Sequence, residues 1–138
     1  MYLNNDVELK KILREAATIA VIGASPKPWR DSRSIMEYLL SHGYTVIPVN
    51  PSYHSVLDRE CYPSLRDISA SVDIVDVFRN PSEVLPIVDD AIAINAPTLW
   101  MQPGVTNEDA AARAHLAGMN VVMDRCIAVE HRHLIGRP

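Results

Sequence analysis

Five short runs of β-branched and apolar residues, at 18–22, 45–49, 72–77, 98–101 and 120–123, punctuate this chain of 138 residues. Longer segments with helical spacing separate most of them. That alternation is the mark of βαβ units, in which parallel strands are joined by right-handed helical crossovers. The expected fold is α/β: one Rossmann-like, doubly wound sheet of about five parallel strands, forming a single domain over residues 1–138. Order 3-2-1-4-5 is the arrangement expected for five such strands. The length is that of one self-sufficient core, and a composition of 48% hydrophobic and 22% charged residues is that of an ordinary folded protein.

The intervening segments carry helix signals. Ile35, Met36, Leu39 and Leu40 fall on one helical face, with Ser32 or Ser34 placed to cap the start and Gly43 to end it, which predicts a helix over 33–42. Pro81 opens a second helical segment running to about residue 93, with Pro86 early enough to be tolerated. Asn107 as a cap, early acids and a terminal Gly118 predict a third. Leu9, Ile12, Leu13 and Ala16 predict a further helix before the first strand.

Charge and cysteine usage exclude several classes. Thirteen basic and 17 acidic side chains leave a net charge of −4, so no global field attracts nucleic acid or an anionic membrane. Charged residues from Asp6 to Glu15 interrupt any signal-peptide core, and no run of 18 apolar residues is present. Cys61 and Cys126 lie far apart without metal-ligand spacing, which points to reduced thiols and a cytoplasmic protein that holds no metal.

In open α/β sheets the ligand sits beyond the carboxyl ends of the strands, where the strand order reverses. That rule selects the loops 23–33, 50–53, 78–81 and 102–105. The first begins Gly23-Ala24-Ser25 and continues through Lys27, Arg30, Ser32 and Arg33. Two readings are open: Gly23 closes a tight turn beside solvated cations, or the glycine, serine and cations together hold a phosphate at a helix N-terminus. A dinucleotide fingerprint would need glycines where Ser25 and Pro28 stand, and an acid after the second strand where Pro48-Val49-Asn50-Pro51 stands. NAD is therefore disfavoured.

These residues resemble the stand-alone CoA-binding proteins, relatives of the N-terminal domain of the succinyl-CoA synthetase α subunit. The resemblance covers about residues 10–135. It rests on Val21-Ile-Gly-Ala-Ser25, Arg30-Asp-Ser32, Gly43-Tyr44, Pro48-Val-Asn-Pro51, Tyr62-Pro-Ser-Leu65, Val72-Asp-Ile-Val-Asp-Val-Phe-Arg79, Trp100-Met-Gln102 and Met123-Asp-Arg-Cys126. It implies CoA or acyl-CoA as cofactor, with Gly23, Ala24 and Ser25 near the pyrophosphate and Lys27, Arg30 and Ser32 near phosphates. Asn50 and Pro51 would border the adenosine, Val77, Phe78 and Arg79 the third strand's edge, and Gln102 the pantetheine path. The synthetase's second domain, with its phosphorylated histidine, has no counterpart in these residues, so synthetase activity is not implied.

The remaining candidates carry competing readings. His42, His54, His115, His131 and His133 read as solvated or capping residues. Cys126 is either an activated thiol beside Arg125 or a small core residue. Trp100 reads as core and Trp29 as a stacking candidate; Arg79 either clamps a phosphate or pairs with Asp76 or Glu83. No acid, base and nucleophile converge in the selected loops, so the expected function is non-catalytic or accessory CoA binding rather than an enzyme activity. The alternatives are an NADP- or other nucleotide-dependent enzyme on the same fold, and an interaction module; a homodimer or an unknown protein partner is compatible with either.

Overall fold

The computed structural model describes residues 2–136. Five parallel strands form its sheet: β1 (Thr18–Ile22), β2 (Thr45–Val49), β5 (Ile74–Val77), β6 (Thr98–Met101) and β7 (Asn120–Met123). A two-stranded antiparallel hairpin, β3 (Ser55–Val56) with β4 (Arg59–Glu60), stands outside it. Helices α1 (Asp6–Glu15), α2 (Asp31–Ser41) and α5 (Ile127–Leu134) cover one face, while α3 (Val84–Ala93) and α4 (Glu108–Leu116) cover the other.

Burial follows the two-residue period of a strand. Ile19 and Val21 of β1 pack against Leu9, Leu13, Met36 and Ile127, whereas Ala20 and Ile22 belong to the opposite layer with Val84, Val88 and Ala111. Both faces are apolar because helices cover both. The helix ends follow local chemistry: Asn107 caps α4 by accepting the Ala110 N–H at 3.0 Å, and Gly43, at φ +90°, turns the chain out of α2.

The strand order corrects the expectation. It is β2-β1-β5-β6-β7, which is 2-1-3-4-5 when the sheet's strands alone are counted, not 3-2-1-4-5. The cause lies in β2. Pro48 has no N–H to offer an outer neighbour, and the outer side of β2 is taken instead by Tyr62, whose N–H donates to Pro48 O at 3.1 Å while its carbonyl accepts from Asn50 N at 2.9 Å. The chain then returns, through a 3-10 turn at Leu65–Asp67, to lay β5 against β1. At the other edge Leu3 N donates to Val121 O at 2.9 Å, and Tyr2 bridges to Val121 in parallel sense.

The reversal of strand order therefore falls between β1 and β5, and so between the loop that starts at Gly23 and the loop that starts at Phe78. No helix among the described residues is long and apolar enough to cross a membrane.

Candidate functional site

At that reversal lies a cleft of about 580 Å³, a size usual for small-molecule sites. Of the residues singled out from the sequence, Gly23, Ser25, Lys27, Arg30, Ser32, Asn50, Phe78 and Arg79 line it. Trp29, the stacking candidate, lines it too, as do Tyr53 and Val105. Lys27, Arg30 and Arg79 set three cations against the acids Asp31 and Glu83.

The first loop is built by internal hydrogen bonds. Gly23 has φ +85°, and its N–H donates to Val49 O at 2.9 Å, so this amide ties β1 to β2. Ser25 N donates to Ser32 Oγ at 3.2 Å, and Ser25 Oγ accepts from Lys27 N at 3.1 Å. Ser32, expected as a helix cap, is instead a buried brace beneath the loop. The N-cap position of α2 is Arg30, which supplies no side-chain cap. The first turn of α2 thus opens at the cleft with its N–H groups uncapped by a side chain and two buried serines beside it, a donor set suited to an anion. Asn50 joins the second loop to the first: its Nδ2 donates to Ala24 O and its Oδ1 accepts from Ser52 N, both at 2.9 Å.

Four of the sequence candidates lie elsewhere. Ala24 is fully buried in the α1/α2/α5 layer, and Val77 in the layer below α3 and α4. Gln102 is buried, and its Oε1 accepts from Ile127 N at 3.1 Å, fixing the start of α5; Val105 of the same loop reaches the cleft instead. Pro51 borders a second, more apolar chamber of about 410 Å³ with Ile22, Val49, Leu65, Pro86 and Ile87. Arg79 and Glu83 line both chambers and pair with each other at 3.0 Å, which selects Glu83 over Asp76 as the partner of Arg79.

Asp76 was legible only as a possible partner for Arg79. It is fully buried in β5, in a cross-sheet register with Val21 and Trp100, and neither carboxylate oxygen has a hydrogen-bond partner among the described residues. Burial pushes its carboxyl well above the usual carboxylate range. Trp100 is core, as expected, with its indole N–H donating to Arg125 O at 2.7 Å.

The histidine reading needs one correction. His131 is buried, its Nδ1 2.8 Å from Tyr38 Oη, with the rings of His42 and Tyr44 packed edge-on against it. Burial, then the neighbouring His42, lowers its pKa. Cys61 is buried and Cys126 half-buried, and both are free thiols. The guanidinium of Arg125 is engaged by Glu130 and by Asn4 O.

Taken together, the sheet, the glycine turn at its switch point and the cationic wall beside a helix N-terminus define a Rossmann-like α/β domain with a candidate anion cleft. The chain belongs to the CoA binding domain family, which it matches over residues 17–132. It is 36% identical to the protein YneT of Bacillus subtilis over 124 residues, covering 90% of this chain and 92% of that protein. A solved structure from Pyrococcus horikoshii OT3 superposes with a TM-score of 0.95 at 43% identity, covering 96% of this chain and 94% of that one. The chain is also 38% identical over 68 residues to the ADP-forming acetate–CoA ligase I of Archaeoglobus fulgidus, where it covers 49% of itself but only 10% of the ligase. It is homologous to the CoA-binding part of such ligases.

Proposed function

We propose that this protein binds CoA or an acyl-CoA through the phosphorylated ADP part, in the cleft between β1, β2 and β5, and that it holds the ligand rather than transforming it. The observation that carries the reading is the wall formed by Lys27, Arg30, Ser32 and the uncapped first turn of α2, in a chain of the CoA binding domain family. Phosphates belong against that wall, where donors and positive charge coincide. Asn50 is the residue placed to border the adenosine. Pro51, which faces the second chamber, is not needed for that role.

A protein that only holds CoA needs complementarity to the ligand's charged end and no reacting groups at the acyl end. Thermal melting with CoA, acetyl-CoA, NAD and NADP tests this. A ligand at 100 times its dissociation constant adds about 2.7 kcal/mol, so CoA and acetyl-CoA should each raise the Tm by several degrees. Stabilisation by NADP alone would replace this reading with that of an NADP-dependent enzyme. A Tm unmoved by all four would turn attention to an interaction module.

A further inference from the structure

We infer that Trp29 is a specificity-determining residue of the cleft, stacking on the purine base of the bound nucleotide so that one loop reads base and phosphate together. The inference rests on the CoA reading for the identity of the nucleotide, but its geometry stands on the loop itself.

Trp29 lines the cleft and is 73% exposed, while the other tryptophan, Trp100, is wholly buried. An isolated apolar side chain on a surface needs no explanation by itself. The setting of Trp29 supplies the argument. Pro26 and Pro28 restrict the backbone on either side of Lys27, Lys27 N is held by Ser25 Oγ, Arg30 N donates to Lys27 O at 3.1 Å, and Arg33 donates from its guanidinium to Pro26 O. The loop is thereby pinned before any ligand arrives, and the indole is presented on it at little further entropic cost.

Charge completes the case. The Lys27 ammonium lies 5.7 Å from the centroid of the Trp29 ring, and Arg30 is the next residue. A flat ring laid on the indole would bring its attached phosphates into the field of both cations. A ligand with phosphates but no base, such as 4′-phosphopantetheine, would use the cations and gain nothing from the indole. Tyr53 and Asn50 on the facing loop close the same space, so a base has walls on two sides.

The experiment measures tryptophan emission and calorimetric affinity for wild type, Trp29→Phe and Trp29→Ala, with CoA, adenosine 3′,5′-bisphosphate, NADP and 4′-phosphopantetheine as probes. Both variants should keep the wild-type Tm, because Trp29 is a surface residue. CoA and adenosine 3′,5′-bisphosphate should quench the wild-type emission, and the emission of Trp29→Phe, which comes from Trp100, should not respond. Trp29→Ala should bind CoA about tenfold more weakly or worse, as expected for loss of one base–aromatic stack, with Trp29→Phe restoring most of it. Affinity for 4′-phosphopantetheine should be equal in all three proteins. CoA binding with unchanged emission and unchanged affinity in Trp29→Ala overturns the stacking and leaves the CoA reading intact. Equal losses for CoA and 4′-phosphopantetheine also overturn it. Quenching by NADP with no response to CoA upholds the stacking and overturns the CoA reading instead, and failure of every base-bearing probe to bind overturns both.

Discussion

Gly23 lies against the backbone of Phe78, so closely that a β-carbon on Gly23 would overlap the Phe78 carbonyl oxygen and sit 3.0 Å from Arg79 Cδ. The contact joins the ends of β1 and β5 at the point where the strand order reverses. With φ at +85°, the position also demands a left-handed backbone. Gly23→Ala should therefore lower stability by at least the roughly 1–2 kcal/mol of the left-handed conformation alone, read as a shift in the urea midpoint. The larger Gly23→Val should unfold the protein. A glycine turn of this kind is a structural requirement first, and a ligand test aimed at it would confuse the two roles.

The cations on the wall offer the cleaner test. Lys27 and Arg30 are exposed, so replacing both with Ala should leave the Tm within a degree or two. CoA binding should weaken by about 1 kcal/mol per cation, and its dependence on salt should flatten, because exposed charges act through a screened field. Calorimetric titrations at two ionic strengths give both quantities, and an unaltered salt slope would remove the pair from the site.

Asp76 predicts a pH effect of definite sign. Its folded carboxyl titrates well above the ordinary 3.8, so the native protein holds a proton that the unfolded chain releases. Its contribution is complete below pH 3.8 and is lost as pH rises toward the folded value, with a slope of up to about 1.4 kcal/mol per pH unit. Asp76→Asn cannot ionise, so as pH rises above 3.8 the unfolding free energy should fall more steeply for wild type than for the variant. Parallel curves would show that the acid is not buried neutral.

His131 predicts the opposite slope. Its folded pKa lies below the ordinary 6.5, so the contribution is present above pH 6.5 and lost as pH falls beneath it. The groups that face it are Tyr38 of α2, with His42 and Tyr44 just past its end, and the Arg132 guanidinium lies over the Tyr38 ring at 4.9 Å. No carboxylate stands among these to receive an imidazolium. His131→Phe should retain stability at pH 5.5 relative to its own value at pH 7.5, where wild type loses it. Because Asp76 acts in the reverse direction, each single variant must be compared with wild type separately.

Much of this was visible in the residues themselves. Four of the five sheet strands begin and end where the apolar runs do, and the third, expected from residue 72, begins at Ile74. Runs of this length are decided locally, by side-chain alternation and by the turn residues that bound them. The order of the strands depends on a pairing across the chain, and its one local sign was Pro48, whose missing N–H marks an edge. Helix α5 escaped because its N-cap, Cys126, carries no capping side-chain bond, and its start is instead held by Gln102 from 25 residues away.

The candidate site divides along the same line. Lys27, Arg30 and Asn50 were legible as strand-end loop residues and do line the cleft, because a loop side chain at such an end has few other places to go. Ala24, Val77 and Gln102 were not distinguishable from them by sequence position, since a one-residue step along a strand end exchanges cleft for core. Asp73 and Asp76 show the same ambiguity: both stand in one run, yet Asp73 accepts the N–H groups of Ala17 and Thr18 at the sheet's lower end while Asp76 is sealed between Val21 and Trp100.

The short segments at Tyr62 and at Tyr2–Leu3 have a consequence for assembly. Each takes up backbone groups of an outermost strand, so part of each margin of the sheet is covered by the chain's own backbone. A strand from another copy would have to compete with these segments to pair at either margin. The most exposed large apolar side chains, Val7 of α1 and Leu116 of α4 at 80% and 86%, stand on helices rather than on the sheet's margins.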